Sequence, residues 1–369
     1  MSSFHSKEAR RMNPLLQVKA KGQQVWLDNL SRTLLEEGHL DRMIREDGLA
    51  GVTTNPAIFH KAIADGKYYA EDLARLRAEP LDAEARYEHL AIADVRRACD
   101  LLRPVWEDSD GDAGYVSLEV SPRLAHDAAG TVAAGKRLSA AIDRPNLLIK
   151  VPATLAGLDA IEELISCGIS VNVTLMFSLG HVDAVASAYV RGLKRLISDG
   201  GDPRRVLSVA SLFLSRVDTL VDKQLEALDG AALALRGKSA VALAKLAYQR
   251  YLQRFHGEEF AALAAAGARP QFMLWASTST KNPAYHDLLY VEPLIGPETV
   301  NTLPDATFLA LRDHGHVEDT LSHDIQHAQA QFEALAAAGV DMSEVGEQLQ
   351  QEGLAQFDTA FTALLELTG

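Results

Sequence analysis

The stretch Asn146-Leu-Leu-Ile-Lys-Val-Pro-Ala-Thr154 is a short apolar run that ends in small and polar residues. A segment with helical spacing, 155–165, follows it directly,. The same order recurs along the chain, with similar helical spacing at 40–45, 83–102 and 241–255,. The runs that read as strands are 24–27, 51–54, 115–120, 146–151, 170–177, 206–213, 272–276 and 298–303.

This alternation predicts an α/β fold, because strands separated by helices pair in parallel. Eight such units favour a closed (β/α)8 TIM barrel over an open doubly wound sheet, whose first strand would normally precede a G-x-G-x-x-G turn. We expect a loose leader at 1–13 and a single catalytic barrel domain at 14–369, with additional C-terminal helices within 319–368. The Ala-rich run 227–266 is interpreted as a long helical connection.

Composition limits the classes of partner. The 369 residues include 47% hydrophobic and 23% charged residues, which is typical of a soluble globular protein,. With 50 acidic and 36 basic residues the formal net charge is −14, which argues against nucleic acid or an anionic membrane as partner,. An anionic substrate would therefore need local cations.

Cysteine usage and hydropathy indicate the compartment. Cys99 and Cys167 are too few for a disulfide framework, and no apolar run approaches the roughly 20 residues of a membrane span,. We expect a cytoplasmic protein.

Lys150 is the least expected residue of the strand at 146–151. Alternation puts it on one face with Leu148 and Pro152, and both faces of a barrel strand are covered,. Burial disfavours the charged form of lysine, and a neutral amine can attack a carbonyl to form a Schiff base. A structural ion pair with an acidic neighbour is the alternative interpretation.

Two carboxylates accompany the lysine on other strands. Glu119 ends the preceding strand, where it could pair with Lys150 structurally or hold a water and shuttle protons,. Asp28 ends the first strand, where it could act as the base for a substrate hydroxyl,. Because the carboxyl ends of barrel strands carry the active site, the three groups make a plausible catalytic set.

These residues carry a resemblance to a known family. Gly51-Val-Thr-Thr-Asn-Pro56 and the stretch 146–154 resemble the two signatures of the transaldolase family. The segment Gln24-Val-Trp-Leu-Asp-Asn-Leu-Ser-Arg32 is similar to the first strand of its longer bacterial branch. The similarity covers nearly everything after the first dozen residues.

The resemblance implies a class I aldolase-like barrel without metal or organic cofactor. The implied reaction moves a dihydroxyacetone unit from fructose 6-phosphate or sedoheptulose 7-phosphate to erythrose 4-phosphate or glyceraldehyde 3-phosphate, in the non-oxidative pentose phosphate pathway. The partners would be small sugar phosphates, and the chain would be a monomer or homodimer.

The resemblance also implies the roles of the catalytic residues. Lys150 matches the Schiff-base lysine, Glu119 the acid/base that holds a water, and Asp28 the base at the C4 hydroxyl. Thr174 matches a residue that helps to position the catalytic water.

Four substrate-binding roles follow in the same way. Asn55 and Asn172 match the amides that hold the donor's hydroxyls. Ser211 and Arg216, in Ser211-Leu-Phe-Leu-Ser-Arg216, match a substrate-contacting serine and the phosphate arginine. An arginine offers a planar fork of donors to phosphate and so meets the need for a local cation.

One segment departs from the family pattern. Where the family has Ala-Ser-Phe-Arg-Asn after the seventh strand, this chain has Ala276-Ser-Thr-Ser-Thr-Lys-Asn282. Ser277 carries over, whereas Lys281 replaces the arginine and lies two residues further on. We expect both to contact substrate.

Other interpretations stay open at this point. A class I aldolase would release the three-carbon ketone instead of transferring it, and a non-catalytic barrel would only bind sugar phosphates. His314, His316, His323 and His327 are clustered, but without a third ligand motif they are interpreted as surface histidines,. Gly200-Gly201 is interpreted as a turn, because no helix-opening Lys-Ser follows it,.

Overall fold

The computed structural model describes residues 13–228 and 230–369, and it contains the predicted barrel. Eight strands pair in the order of the sequence, and β1 closes the barrel by pairing in parallel with β8. The strands β1 to β8 are Gln23–Leu27, Gly51–Val52, Tyr115–Glu119, Leu147–Pro152, Val171–Met176, Ser208–Phe213, Phe272–Ala276 and Thr299–Leu303. The prediction of a (β/α)8 TIM barrel is thus confirmed.

Helices alternate with the strands around the barrel. Within the described residues the helices α1 to α15 are Pro14–Ala20, Arg32–Glu36, His39–Asp47, Pro56–Asp65, Ala70–Arg77, Ala83–Asp108, Ala128–Ile142, Leu155–Ser166, Leu179–Ser198, Ser215–Leu228, Ser239–Phe255, Glu258–Ala265, Asp305–His314, Ile325–Ala337 and Met342–Thr368. The predicted strand boundaries differ from the observed ones by no more than two residues at either end.

The Ala-rich segment is helical but not continuous. It contains the 3-10 turn Gly230–Leu235, then α11 and α12. Gly237 separates the first two with a φ of +67°, and a methyl group there would lie 2.7 Å from the Tyr285 ring. A left-handed residue packed this closely interrupts a helix where alanine-rich composition alone predicts continuity.

The helix α15 lies across the carboxyl ends of two strands. Gln350 donates hydrogen bonds to the carbonyl oxygens of Ala153 and Leu175, which directly follow β4 and lie near the end of β5. Close approach is possible because the helix presents glycine there: a methyl group at Gly353 would lie 2.9 Å from Leu175 Cδ2. The predicted C-terminal helices therefore contribute to the barrel mouth.

The ends of the chain and its hydropathy complete the description. Asn13 caps α1 through its side chain, whereas residues 1–12 of the predicted leader lie outside the described residues. The division into a leader and one domain stays a prediction. Among the described residues, no helix has the length and apolar character that crossing a bilayer would need.

Candidate active site

A pocket opens at the carboxyl ends of the strands. Its wall includes eight of the residues expected from the sequence: Asp28, Asn55, Lys150, Thr174, Ser211, Arg216, Ser277 and Lys281. The remaining two, Glu119 and Asn172, lie beside Lys150 in the barrel layer, because the parallel register pairs Lys150 with both of them. The fold therefore brings all ten together.

Lys150 points into the barrel and is almost completely buried. Its Nζ donates a hydrogen bond of 3.0 Å to the carbonyl oxygen of Thr54. It also lies 3.6 Å from Glu119 Oε2, and these two side chains are only 6% and 5% exposed. A buried lysine between a carbonyl and a carboxylate has a proton acceptor within reach, and an amine that loses its proton becomes a nucleophile.

Glu119 is tuned by burial. Burial raises the pKa of Glu119 to about 7, and the neighbouring Lys150 opposes this rise. Among the described residues, Glu119 Oε2 and Thr174 Oγ1 are buried without a hydrogen-bond partner. Buried polar atoms that make no hydrogen bond of their own are suited to holding a water or a substrate hydroxyl.

Asp28 lies in the wall of the same pocket, directly after β1. Thr53 donates a hydrogen bond of 2.7 Å to Asp28 Oδ1, and Thr53 is also 2.6 Å from the Thr302 hydroxyl. Burial raises the pKa of Asp28, whereas Lys150 and the hydrogen bond from Thr53 oppose this rise. A carboxylate whose proton affinity is increased in this way is a stronger base than an exposed one.

The polar amides differ in how far they are free for a ligand. Asn55 Oδ1 accepts a hydrogen bond from the Ile58 amide and caps α4. Its Nδ2 is not used in this cap. Asn172 is fully buried, donates to Ser117 Oγ at 2.9 Å and accepts from Ser211 Oγ at 2.7 Å. Asn172 therefore supports Ser211, which lines the pocket, while Asn172 itself is not part of the wall.

Two cations lie on the same side of the pocket. Among the described residues, buried Arg216 Nη1 has no hydrogen-bond partner, and burial lowers the pKa of Arg216. Lys281 is exposed at the rim, where its Nζ donates to Ser279 Oγ at 2.7 Å. Although the side chain as a whole is exposed, partial removal of its amine from water by the pocket wall lowers the pKa of Lys281, and the charge of Arg216 lowers it further. Two neighbouring cations with unused donors make a suitable anion site.

Ser277 also lines the pocket wall, directly after β7. Its backbone has a φ of +54°, which is uncommon for a residue with a side chain,. Its Oγ is 2.7 Å from Ser215 Oγ, and its carbonyl accepts a hydrogen bond from the Ser215 amide. This pairing holds the strained residue in place.

Sequence reasoning missed several pocket residues. Thr53 lies inside the signature at 51–56, so its position beside Asp28 could have been found from the motif. Phe213 lies within the segment 211–216 and also lines the wall. Phe357 comes from α15, and no motif around it signals that it reaches the pocket.

The spacing of the four histidines in the sequence does not match how the structure groups them. His314, His316, His323 and His327 are all exposed, as predicted. In the described part of the chain, His314 groups with His286 and Asp287, with ligand atoms within 4.8 Å of one another. None of these three residues lines the pocket described above.

The chain is similar to known proteins over nearly its whole length. The family described as Transaldolase/Fructose-6-phosphate aldolase matches residues 25–368. A transaldolase of Thiobacillus denitrificans is 57% identical over 97% of this chain and 100% of its own length. A transaldolase of Neisseria gonorrhoeae is 50% identical over 96% of this chain and 99% of its own. Transaldolase 1 of Streptomyces coelicolor is 49% identical over 95% of this chain and 93% of its own length.

The raised pKa of Glu119 gives a testable prediction. Because this pKa rises from 4.5 to about 7, Glu119 binds more protons in the folded than in the unfolded chain between these pH values. Glu119 therefore makes the free energy of unfolding decrease as the pH rises through that window. Infrared difference spectra of the wild type against Glu119→Gln should show a protonated-carboxyl band at pH 6 that is lost by pH 8.

Glu37 provides the control for this measurement. It is a glutamate whose pKa is lowered by its hydrogen bond from Lys67. Glu37→Gln should remove no protonated-carboxyl band at pH 6. Absence of the band from the Glu119 spectra at pH 6 would contradict the assignment.

Proposed function

The chain belongs to the transaldolase/fructose-6-phosphate aldolase family and is an enzyme of the transaldolase kind, and from this premise we propose its substrates and mechanism. It takes a dihydroxyacetone unit from fructose 6-phosphate or sedoheptulose 7-phosphate through an imine on Lys150. It transfers the unit to erythrose 4-phosphate or glyceraldehyde 3-phosphate, in the non-oxidative pentose phosphate pathway. A non-catalytic barrel, the third possibility from the sequence, does not fit an enzyme family.

The observation that carries this proposal is the position of Lys150, buried between the Thr54 carbonyl and Glu119. Glu119 takes a proton from the ammonium group, and the neutral amine attacks the C2 carbonyl of the ketose. The resulting carbinolamine must lose water, and a glutamic acid with a pKa of about 7 can supply the proton for that step near neutral pH,. The Thr174 hydroxyl, which has no hydrogen-bond partner in the described part of the chain, holds the departing water.

Cleavage needs a second base. Once the imine has formed, Asp28 removes the proton of the C4 hydroxyl, the C3–C4 bond breaks, and its electrons move into the imine to form an enamine. The aldose product leaves, and an acceptor aldehyde then takes the electron pair of the enamine in the reverse sequence. Because the imine itself accepts the electrons, the mechanism needs no metal or organic cofactor.

The remaining pocket residues bind the substrate. Asn55 and Ser211 contact the hydroxyls of the donor, with Asn172 orienting Ser211 through their hydrogen bond. Arg216 and Lys281 neutralise the phosphate against the repulsive net charge of −14, and Ser277, which lines the same pocket, adds a hydroxyl. We also propose that the protein is cytoplasmic, which is consistent with the two free cysteines, and that it is a monomer or homodimer.

The test of the proposed function is imine trapping. Borohydride reduction with fructose 6-phosphate, followed by peptide mass mapping, should place one reduced adduct on Lys150. Lys150→Ala should abolish the adduct and the activity, because the nucleophile is gone. Lys281→Ala, the matched control for a second lysine of the pocket, should retain the adduct. An adduct mapped to another lysine would sink the assignment.

Asp28→Asn should separate the two stages of the reaction. The amide keeps the size of the side chain but cannot act as the base, so cleavage should slow by about 10²–10⁴-fold. Imine trapping should persist, because imine formation relies on Glu119. Asp305→Asn removes a nearby exposed carboxylate and should leave both steps unchanged. Equal loss of trapping and cleavage in Asp28→Asn would contradict this division of roles.

The two cations should have phosphate-selective effects. Arg216→Ala should raise KM for fructose 6-phosphate by roughly 10- to 150-fold, because one charge-assisted contact is worth about 1.5–3 kcal/mol. Lys281→Ala should have a smaller effect of the same kind, since this side chain lies at the exposed rim. The KM for dihydroxyacetone, a donor that has no phosphate, should change little in either variant. Arg75→Ala, at an exposed arginine of α5, is the control.

Equal losses with phosphorylated and unphosphorylated donors would refute the phosphate assignment. In that case Arg216 would have a structural role. An unchanged KM in Lys281→Ala would leave Arg216, Ser277 and backbone amides as the phosphate site.

A further inference from the structure

The face of α15 that meets the barrel is built for close approach. Gly346, Gln350, Gly353 and Phe357 follow one another at intervals of three or four residues, which places them on one face of the helix,. A methyl group at Gly346 would lie 2.6 Å from Ser178 Cβ, so this part of the helix touches the loop after β5. The two hydrogen bonds from Gln350 fix the helix between these glycines.

This anchored face carries Phe357 into the pocket. Phe357 is only 8% exposed, and the centre of its ring lies 5.8 Å from Lys150 Nζ. Within the described residues, Phe357 is the only pocket-lining side chain that α15 supplies. The electron-rich face of an aromatic ring attracts a cation at this distance, and its apolar surface excludes water.

The enamine proposed above has two possible fates, and water decides between them. If an acceptor aldehyde reaches the enamine carbon, a carbon–carbon bond forms and the unit is transferred. If a proton from water reaches it instead, the electron pair forms a C–H bond and leaves hydroxide and an imine. Addition of water to that imine then expels the Lys150 amine and releases free dihydroxyacetone.

We propose that Phe357 is the specificity-determining residue that separates these two fates. Its ring covers the Lys150 nitrogen and keeps water from the enamine, so the three-carbon unit waits for an acceptor. This inference rests on the proposed imine at Lys150. It means that a C-terminal helix, and not a barrel strand, controls whether the three-carbon unit is transferred or released.

The test compares transfer and release in variants at Phe357. Phe357→Leu and Phe357→Ala are assayed for transfer from fructose 6-phosphate to erythrose 4-phosphate, and for dihydroxyacetone released without acceptor. In Phe357→Ala the ratio of release to transfer should rise by about tenfold or more, with a smaller rise in Phe357→Leu. If the alanine variant does not fold, the leucine variant decides the question.

Phe361→Leu is the matched control. Phe361 lies four residues later on α15, is 2% exposed and packs edge-to-face on Tyr87, but it does not line the pocket. Its substitution loosens the same helix and should leave the ratio unchanged. An unchanged ratio in both Phe357 variants, or an equal shift in Phe361→Leu, would overturn the inference.

Borohydride trapping separates this inference from the function on which it rests. If the wild type gives no reduced adduct on Lys150, the proposed imine fails and the inference fails with it. If the adduct forms in the wild type and in both Phe357 variants while the ratio stays constant, only the inference fails. An adduct in all three proteins with the predicted shift supports both.

Discussion

Burial of the Lys150 amine is the constraint on which the rest of the barrel mouth depends. An ammonium group removed from water costs several kcal/mol unless a partner charge and hydrogen bonds compensate for it. The Thr54 carbonyl supplies one partner at 3.0 Å, and Thr54 is itself fixed by its 2.7 Å hydrogen bond to the Ser117 carbonyl. Glu119 supplies the opposing charge because the β3–β4 register pairs it with Lys150. The order of the neighbouring strands is therefore part of the chemistry.

The overall charge of this protein repels an anionic substrate, whereas the local charge in its pocket attracts it. A formal net charge of −14 repels a phosphate at a distance, whereas Arg216 and Lys281 attract it once it reaches the pocket. Their proximity is unfavourable in itself, since each cation raises the cost of charging the other,. An anion between them relieves that repulsion. This arrangement supports the proposed preference for phosphorylated over neutral sugars.

Much of the barrel is predictable because its pattern is local. A strand such as 272–276 is marked by its own apolar residues, and the carboxyl ends of parallel strands must meet, so Asp28 and Lys150 are expected to be neighbours from their strand positions alone,. Phe357 is not predictable in this way, because nothing in an amphipathic helix states which surface it will cover. The contact of His314 with Asp287 likewise joins two separate segments and leaves no periodic signal.

The contact between α15 and the barrel also explains how the mouth tolerates backbone strain. Leu175 has a φ of +58° where the β5–β6 register shifts, a conformation that costs about 1–3 kcal/mol for a residue with a side chain,. The shift lies between Val173 and Met176, the segment that contains Thr174. Gln350 donates a 3.1 Å hydrogen bond to the carbonyl oxygen of Leu175, and Gly353 leaves room for the Leu175 side chain. The helix that places Phe357 over Lys150 therefore also stabilises the strained residue next to Thr174. Both the position of Phe357 and the conformation beside Thr174 depend on the contact between α15 and the barrel.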